Sequence, residues 1–350
     1  NPDSGAWRML HGDQTESVRE GILANGNAYE IRSLLFVDGN RAMVSQTVTK
    51  RFSWGKEVIS QTADPHGTAG KTNYTYYVRP LEPGYGQIKQ SISQTGHWRQ
   101  YIYDQEGRVI IERRQFLNTP LDAPDDQVRI IHHFYEPVHP EDDGTINPSS
   151  PRLTTELLQG IEIQRTYFVY MPGIKQEIQC QTRGAAWNAS NNLVTTTQYV
   201  TEGEFKGKIA SRIQPDGIGF TYDYQRDDKG DLTIITNKGY VDNKGMHFSE
   251  RTIETHDING RLLSDMTADV VTGAIIKSQR NLKFDNQGRA ISTEYHDGTR
   301  SEKRYGCCGL EWQRDRKGHE TTYEYDQYKR LVATRDEASG ITTFFNYNSL

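Results

Sequence analysis

Cysteine is scarce. Cys180, Cys307 and Cys308 are the only three in 350 residues, and an odd number does not make a self-contained disulfide framework, although Cys180 could pair with either of the other two. Cys307 and Cys308 are adjacent, and neighbours in a strand point to opposite faces, so they are poorly placed to share one metal ion. A tight turn flanked by Gly306 and Gly309 is the simpler reading. Long apolar runs are also missing: no stretch of about 18 apolar residues is present, which excludes a membrane-spanning helix. Excess positive charge is missing too. The formal net charge of −5 and pI near 6.1 give no basic field to draw in nucleic acid or anionic lipid. There is no Gly-x-Ser-x-Gly elbow, no glycine-rich phosphate loop ahead of a helix and no closely spaced carboxylate pair, so no catalytic or cofactor-binding residue is assigned. A leading Met and a charged-then-apolar leader are likewise absent, and we expect a mature product or a piece of a longer, exported chain.

What is present points to β structure. Only 34% of residues are hydrophobic and mean hydropathy is −0.79, yet 20 Tyr and 31 Gly are spread along the chain. Sheets with both faces partly wet and carrying amphipathic Tyr accommodate that balance, whereas a disordered chain would be depleted in aromatics. From Lys317 to Tyr347 the pairs Tyr323/Tyr325 and Phe345/Tyr347 are spaced by two, so each pair faces one side of a strand. Between the alternating runs, Asp326 can accept backbone N–H bonds as an Asx turn, and the position three further on favours a left-handed residue.

That turn recurs with glycine in the left-handed place. Tyr103-Asp104-Gln105-Glu106-Gly107-Arg108, His256-Asp257-Ile258-Asn259-Gly260-Arg261 and Phe284-Asp285-Asn286-Gln287-Gly288-Arg289 are copies of one phrase, because a short hairpin loop with a bulge needs φ > 0 and glycine supplies it without steric cost. The copy at Asp326 and Arg330 carries Lys329 there, implying a different turn or mild strain. A weaker copy, Asp227 to Leu232, lacks the Arg. Asp216-Gly217 and Asp297-Gly298, each between alternating segments, are further hairpin signals.

Elsewhere the readings are local. Ser17-Val18-Arg19-Glu20 has the spacing of a helix capping box, but the alternation from Tyr29 around Asp38-Gly39-Asn40 makes residues 1–60 β. Asp64-Pro65-His66-Gly67 is a turn, Thr72 to Val78 a strand, and Thr154 to Leu158 a brief helical turn. Strands are expected over Ile161 to Tyr170, Lys175 to Thr182 and Asn192 to Val200. Asn73-Tyr74-Thr75 and Asn188-Ala189-Ser190 match the glycosylation triplet. Residues 119–152 break the pattern with Pro120, Pro124, Pro137, Pro140, Pro148 and Pro151 among many acids, and read as two acidic loops flanking a strand from Val128 to Tyr135 and projecting from the ribbon. The expected organisation is 1–118, diverged hairpin repeats; 119–152, a Pro/acidic insertion; and 153–350, hairpin repeats, clearest from 251.

The phrase Tyr-Asp-x-x-Gly-Arg resembles the RHS/YD-repeat family, near-exactly at Tyr101 to Val109 and specifically over about the last third of the chain. The resemblance implies a long ribbon of hairpins wound into a β-shell, and a structural segment of a larger exported bacterial protein that encapsulates a toxin-like cargo or builds a cell-surface assembly. The repeat-turn residues are then Asp104, Gly107, Arg108, Asp257, Gly260, Arg261, Asp285, Gly288, Arg289, Asp326 and Arg330. Its partners would be further repeats of the same chain, copies of itself, a toxin cargo or surface glycans, with no nucleic acid.

Two chemistries remain open. In the insertion His132, His133, Glu136, His139, Glu141, Asp142 and Asp143 could ligate Ca²⁺ or Zn²⁺, with His133, His139, Glu141, Asp142 and Asp143 the metal candidates, but the spacing matches no dedicated motif and solvated acidic loops are common. Exposed Trp7, Trp54, Trp98, Trp187 and Trp312 could stack on sugars, against the plainer expectation that they fill the sheet faces. The alternatives to a scaffold are therefore a self-assembling filament or tube subunit, a carbohydrate-binding adhesin, and a polysaccharide-lyase-type enzyme using Tyr or His as base.

Overall fold

A computed structural model describes residues 7–10, 16–24, 28–37, 40–63, 70–306, 309–326 and 329–347, with side chains from residue 45 onward. The protein is all-β: among the described residues there is no α-helix, and Asp125–Gln127 forms a single 3-10 turn. Consecutive strands pair antiparallel, as a polar chain with hairpin turns every few residues requires.

The chain forms two compact units. The first comprises Asn1–Phe168 and Gln179–Asn192, the second Val169–Ile178 and Leu193–Tyr347. In the first unit, strands Trp7–Leu10, Glu16–Ala24, Ala28–Val37, Asn40–Phe52, Gly55–Ala63 and Gly70–Tyr76 follow one another as a meander. The capping-box spacing at Ser17 therefore does not start a helix. Ser17 and Glu20 lie in the strand Glu16–Ala24, paired on both sides, and sheet pairing overrides a weak local helix signal. The turns expected at Asp38-Gly39 and Asp64 to Gly67, and the Cys307-Cys308 pair, lie outside the described residues.

The meander continues through Ile88–Ser93, Trp98–Tyr103, Val109–Arg114, Arg129–Phe134 and Leu153–Leu158. Two expectations are corrected here. Thr154 to Leu158 is strand rather than helical turn, because each residue finds a partner in Arg129–Phe134. The strand inside the proline-rich insertion does not project: it is paired in register with Val109–Arg114 on one side and Leu153–Leu158 on the other. The loop ahead of it folds back, and Trp98, Ala123, Val128 and Ile130 make a small core with Ile92, Ile111, Leu121 and Leu157 against it. Val128 is fully buried.

In the second unit, strands run from Leu193–Tyr199 through Ile209–Ile213, Ile218–Arg226, Leu232–Asp242 and Gly245–His256 to Thr342–Phe344, again each against the next. The sheet is not closed into a barrel: Thr342–Phe344 pairs with Leu331–Asp336, and no other strand among the described residues pairs with it. Few side chains here are fully buried. Among the described residues of the repeat region the buried ones are Ala333 and three polar ones, Asp265, Thr267 and Ser292, which fits a sheet wet on both faces.

Candidate functional site

The chemistry of the repeat is concentrated at one turn. At Asp104 the chain reverses with Asp104 N–H donating to Arg108 O (2.9 Å) and Gly107 N–H to Asp104 O (3.1 Å). The carboxylate holds the loop from inside: Arg108 N–H donates to Oδ1 at 2.8 Å and Arg108 Nε to Oδ2 at 2.6 Å. Asp257 and Asp285 repeat the arrangement, with Arg261 Nε at 2.5 Å and Arg289 Nε at 2.6 Å. A register shift precedes each turn, at Ile102/Tyr103, Thr255/His256 and Lys283/Phe284. One residue in the left-handed region beside a bulge is the three-residue hairpin solution.

Burial of each Asp raises its carboxyl pKa, but the N–H groups and guanidinium around it outweigh that and leave it below the ordinary value. At Asp326 the same bonds form although Lys329 replaces glycine: Lys329 adopts φ 62° and donates to Asp326 O at 2.9 Å, while Arg330 Nε meets Oδ2 at 2.7 Å. The turn type is therefore unchanged, and the cost falls on a side chain held in the left-handed region.

Two turns extend the set. Asp227 holds Lys229 and Asp231 N–H through Oδ1, and Arg226, the residue before it, ties the loop by donating to Gly230 O at 2.8 Å. The second, at Asp315, is one that the sequence pattern did not single out. It binds Lys317 and His319 N–H at 2.8 and 2.9 Å, and His319 Nδ1 lies 3.5 Å from its carboxylate where the Arg would sit. The Asp-Gly hairpins close similarly; at Asp297 the Thr299 hydroxyl and N–H, with Arg316, hold the carboxyl down to about 2.

Each repeat arginine then reaches across the sheet. Arg108 covers the Tyr135 ring at 4.3 Å, Arg261 covers Phe284 at 4.9 Å, Arg289 covers Tyr305 at 4.1 Å and Arg330 covers Tyr347 at 4.9 Å. In each case the Arg precedes one strand, and the ring ends the neighbouring strand or lies just past its end. The tyrosines also lock backbones: Tyr135 OH donates to Val109 O, Tyr325 OH to Leu310 O and Tyr347 OH to Leu331 O, at 2.8, 3.0 and 2.8 Å. Tyr103 OH does the same to Ile88 O at 2.8 Å, and its phenol is pushed up to about 12, chiefly by burial and then by Tyr101, Tyr77 and Glu112. Where Phe284 has no hydroxyl, Asn281 Nδ2 supplies the bond to Leu262 O at 2.8 Å.

The metal candidates are dispersed. Among the described residues no three His, Cys, Asp or Glu side chains come together as an ion site. His133 Nδ1 sits 3.3 Å from the Thr154 hydroxyl, and burial, the largest influence, pushes its imidazole down. His139 packs edge-on against Trp187 at 4.2 Å and accepts from Glu141 N–H at 3.1 Å. Asp143 accepts from the Thr145 hydroxyl and N–H. Asp142 faces Arg152 at 2.8 Å, both side chains 1% exposed. Arg152, to which no sequence pattern pointed, is the centre of this loop: its Nη atoms donate to the carbonyls of Asn147, Ser150, Asp143 and Ile146. The Asp142 and Asp143 carboxylates are thus held by protein groups, Asp142 because a buried guanidinium needs a carboxylate beside its carbonyls.

Three of the four tryptophans with described side chains pack on the sheet, and Trp187 sits half-buried in a loop against His139. Trp98 is 4% exposed and donates to Thr119 O at 3.0 Å; Trp54 stacks on Phe52 at 4.5 Å; Trp312 lies between Arg304 and Arg314 and donates to Glu320. Cys180 is a free thiol directed at Ala185 O, raised in pKa by its burial.

No protein-family model matches the chain, and no curated protein matches it. Among solved structures, similarity extends to the Photorhabdus luminescens Tc holotoxin pore, at 11% identity and TM-score 0.33 over 96% of this chain and 21% of that one. It extends also to TcdB2-TccC3 without its hypervariable C-terminal region, at 12% identity and TM-score 0.33 over 94% of this chain and 22% of that one. A porin-like protein from Bacteroides uniformis is similar at 12% identity and TM-score 0.30, over 71% of this chain and 99% of that one. The chain spans about a fifth of the length of the first two.

Proposed function

We propose that this chain is a non-catalytic scaffold segment of a larger exported RHS/YD-repeat-like protein, whose β-sheet walls enclose a cargo or form an extracellular assembly. The observation that carries the reading is the division of labour in each turn: Asp shapes the loop, and the adjoining Arg is laid over an aromatic ring of the next strand. A residue set that binds one strand to the next, again and again, is what an extended wall needs. Each cross-strand contact of this kind contributes only about 0.2–1 kcal/mol, so such a wall gains its stability by repetition, in the manner of repeat proteins. The resemblance of Tyr-Asp-x-x-Gly-Arg to YD repeats supports export and a cargo-enclosing role in the same direction.

The test is electron microscopy of the purified chain together with its mass in solution across a concentration series. Discrete particles of constant mass are expected. Regular fibres growing with concentration would overturn the scaffold reading in favour of self-assembly, for which strands paired on one side among the described residues, Trp7–Leu10 and Thr342–Phe344, offer edges. A rise in ultraviolet absorbance on incubation with a uronate-containing glycan would overturn the non-catalytic part.

A further inference from the structure

On one face of the first unit, arginines stand directly opposite one another on three neighbouring strands. Arg99 pairs in register with Arg114, and Arg114 with Arg129. Like charges directly opposite across a sheet destabilise it, and neighbouring strands are only about 4.8 Å apart. A row of this kind calls for an explanation beyond the fold.

The carboxylates nearby neutralise it in part. Glu112, one row further along, takes Arg114 bidentately at 2.8 and 2.9 Å, and Glu156 takes Arg129. Arg99 is left over: its nearest carboxylate oxygen is that of the already engaged Glu112, at 4.0 Å, and its side chain is 56% exposed. Its guanidinium makes no hydrogen bond among the described residues. All three arginines border an open groove of about 590 Å³ whose lining also includes Thr72, Tyr74, Ser91, Ser93 and Tyr101, and contains no Asp or Glu. The row continues from Arg99 to Ser91 and Tyr74 on the next strands.

We propose that this groove is a binding site for an acidic polysaccharide, one carrying uronate or sulfate groups along its chain. The guanidinium forks match planar or tetrahedral oxyanions. The Ser, Thr and Tyr hydroxyls offer both donors and acceptors to sugar hydroxyls, and the tyrosine rings offer faces to a pyranose. The overall charge of −5 opposes the long-range attraction on which nucleic-acid binding depends, so the local row selects a polyanion by contact. The like-charge repulsion is relieved when the ligand's anions enter.

The experiment titrates the whole chain with a heparin-derived hexasaccharide and with a hexamer of galacturonate, using neutral dextran and an oligothymidine as comparators, over a range of salt. The expected result is binding of the acidic oligosaccharides and not of dextran, with Arg99→Gln weakening it at least about tenfold and lowering the log–log salt slope by about one. Arg99→Lys keeps the charge but not the fork, and should fall between. Because Arg99 has no hydrogen bond to lose and like-charged neighbours to escape, the thermal midpoint of Arg99→Gln should equal or exceed that of the parent. No binding at low salt, unchanged affinity in Arg99→Gln, tighter binding of oligothymidine, or a lowered midpoint in that variant would each overturn the assignment.

Discussion

Two regions of this molecule solve the same problem by different means. From Trp98 to Leu158 the sheet is backed by folded loops, which bury Trp98, Val128, Ile130 and the Arg152–Asp142 pair. From Gly245 to Phe344 consecutive hairpins stand with half-buried faces, and order comes from turns, bulges and rings covered by arginines. A few large local terms hold the first region and many small ones hold the second. The first should fail abruptly at single residues, and the second should give way by increments.

The largest effect expected is at Arg152. Replacing it by Ala leaves Asp142 buried without its guanidinium and several loop carbonyls without a donor, and should cost about 3–5 kcal/mol in chemical denaturation. A loss below about 1 kcal/mol would mean that the loop is a solvated surface feature and the contrast is false. Next comes a matched pair. Trp98→Ala, in the core, should cost about 3–5 kcal/mol; Trp312→Ala, half-buried between two arginines, should cost less than half as much. Equal losses would dissolve the distinction between the regions.

Smaller, and of opposite sign, is Lys329→Gly. Relieving a lysine at φ 62° should stabilise the turn by about 1 kcal/mol, seen as a higher denaturation midpoint, while Gly288→Lys at the equivalent position should lose a similar amount. A destabilised Lys329→Gly would show that the lysine side chain contributes more than its backbone strain removes.

The smallest per-residue effects are in pH. Asp257, Asp285 and Asp315 have folded carboxyls below the ordinary value, and Asp297 is held down to about 2. Their stabilisation is complete above the unfolded value, about 3.9, and is lost as pH falls through the folded values. His133, by contrast, is pushed down by burial, so its neutral form is favoured in the fold. Its contribution is whole above about 6.5 and declines as pH drops below that. Hydrogen exchange should therefore show the first region loosening as pH falls below about 6.5, before the repeat region responds. His133→Gln should remove that early phase, and an unaltered profile would discount burial of the imidazole.

Reading the sequence located the turns because their chemistry is local. An Asp, a left-handed residue three positions on and an Arg after it are enough to specify a bulged hairpin, and the Asp-Gly pairs at Asp216 and Asp297 do the same with fewer parts. Asp315 escaped notice because His319 stands where the pattern wants Arg. Asn281 left no local sign at all, since the carbonyl it satisfies, Leu262 O, lies on another strand. The helical reading at Thr154 failed because local spacing competes poorly with strand pairing on both edges, whereas at Ser17 the surrounding alternation already outweighed the capping-box spacing.

The sequence by itself determined the architecture, through alternation, turn residues and the scarcity of apolar runs, all of which act within a few residues of one another. Only the tertiary structure decided that Asp142 pairs with Arg152, that Trp98 is core, and that Arg99, Arg114 and Arg129 form one row. The first two depend on a loop folding back, and the row depends on register between strands whose paired residues lie 15 apart along the chain. Register is set by the sum of all the pairings in a sheet, and no short stretch of sequence contains it.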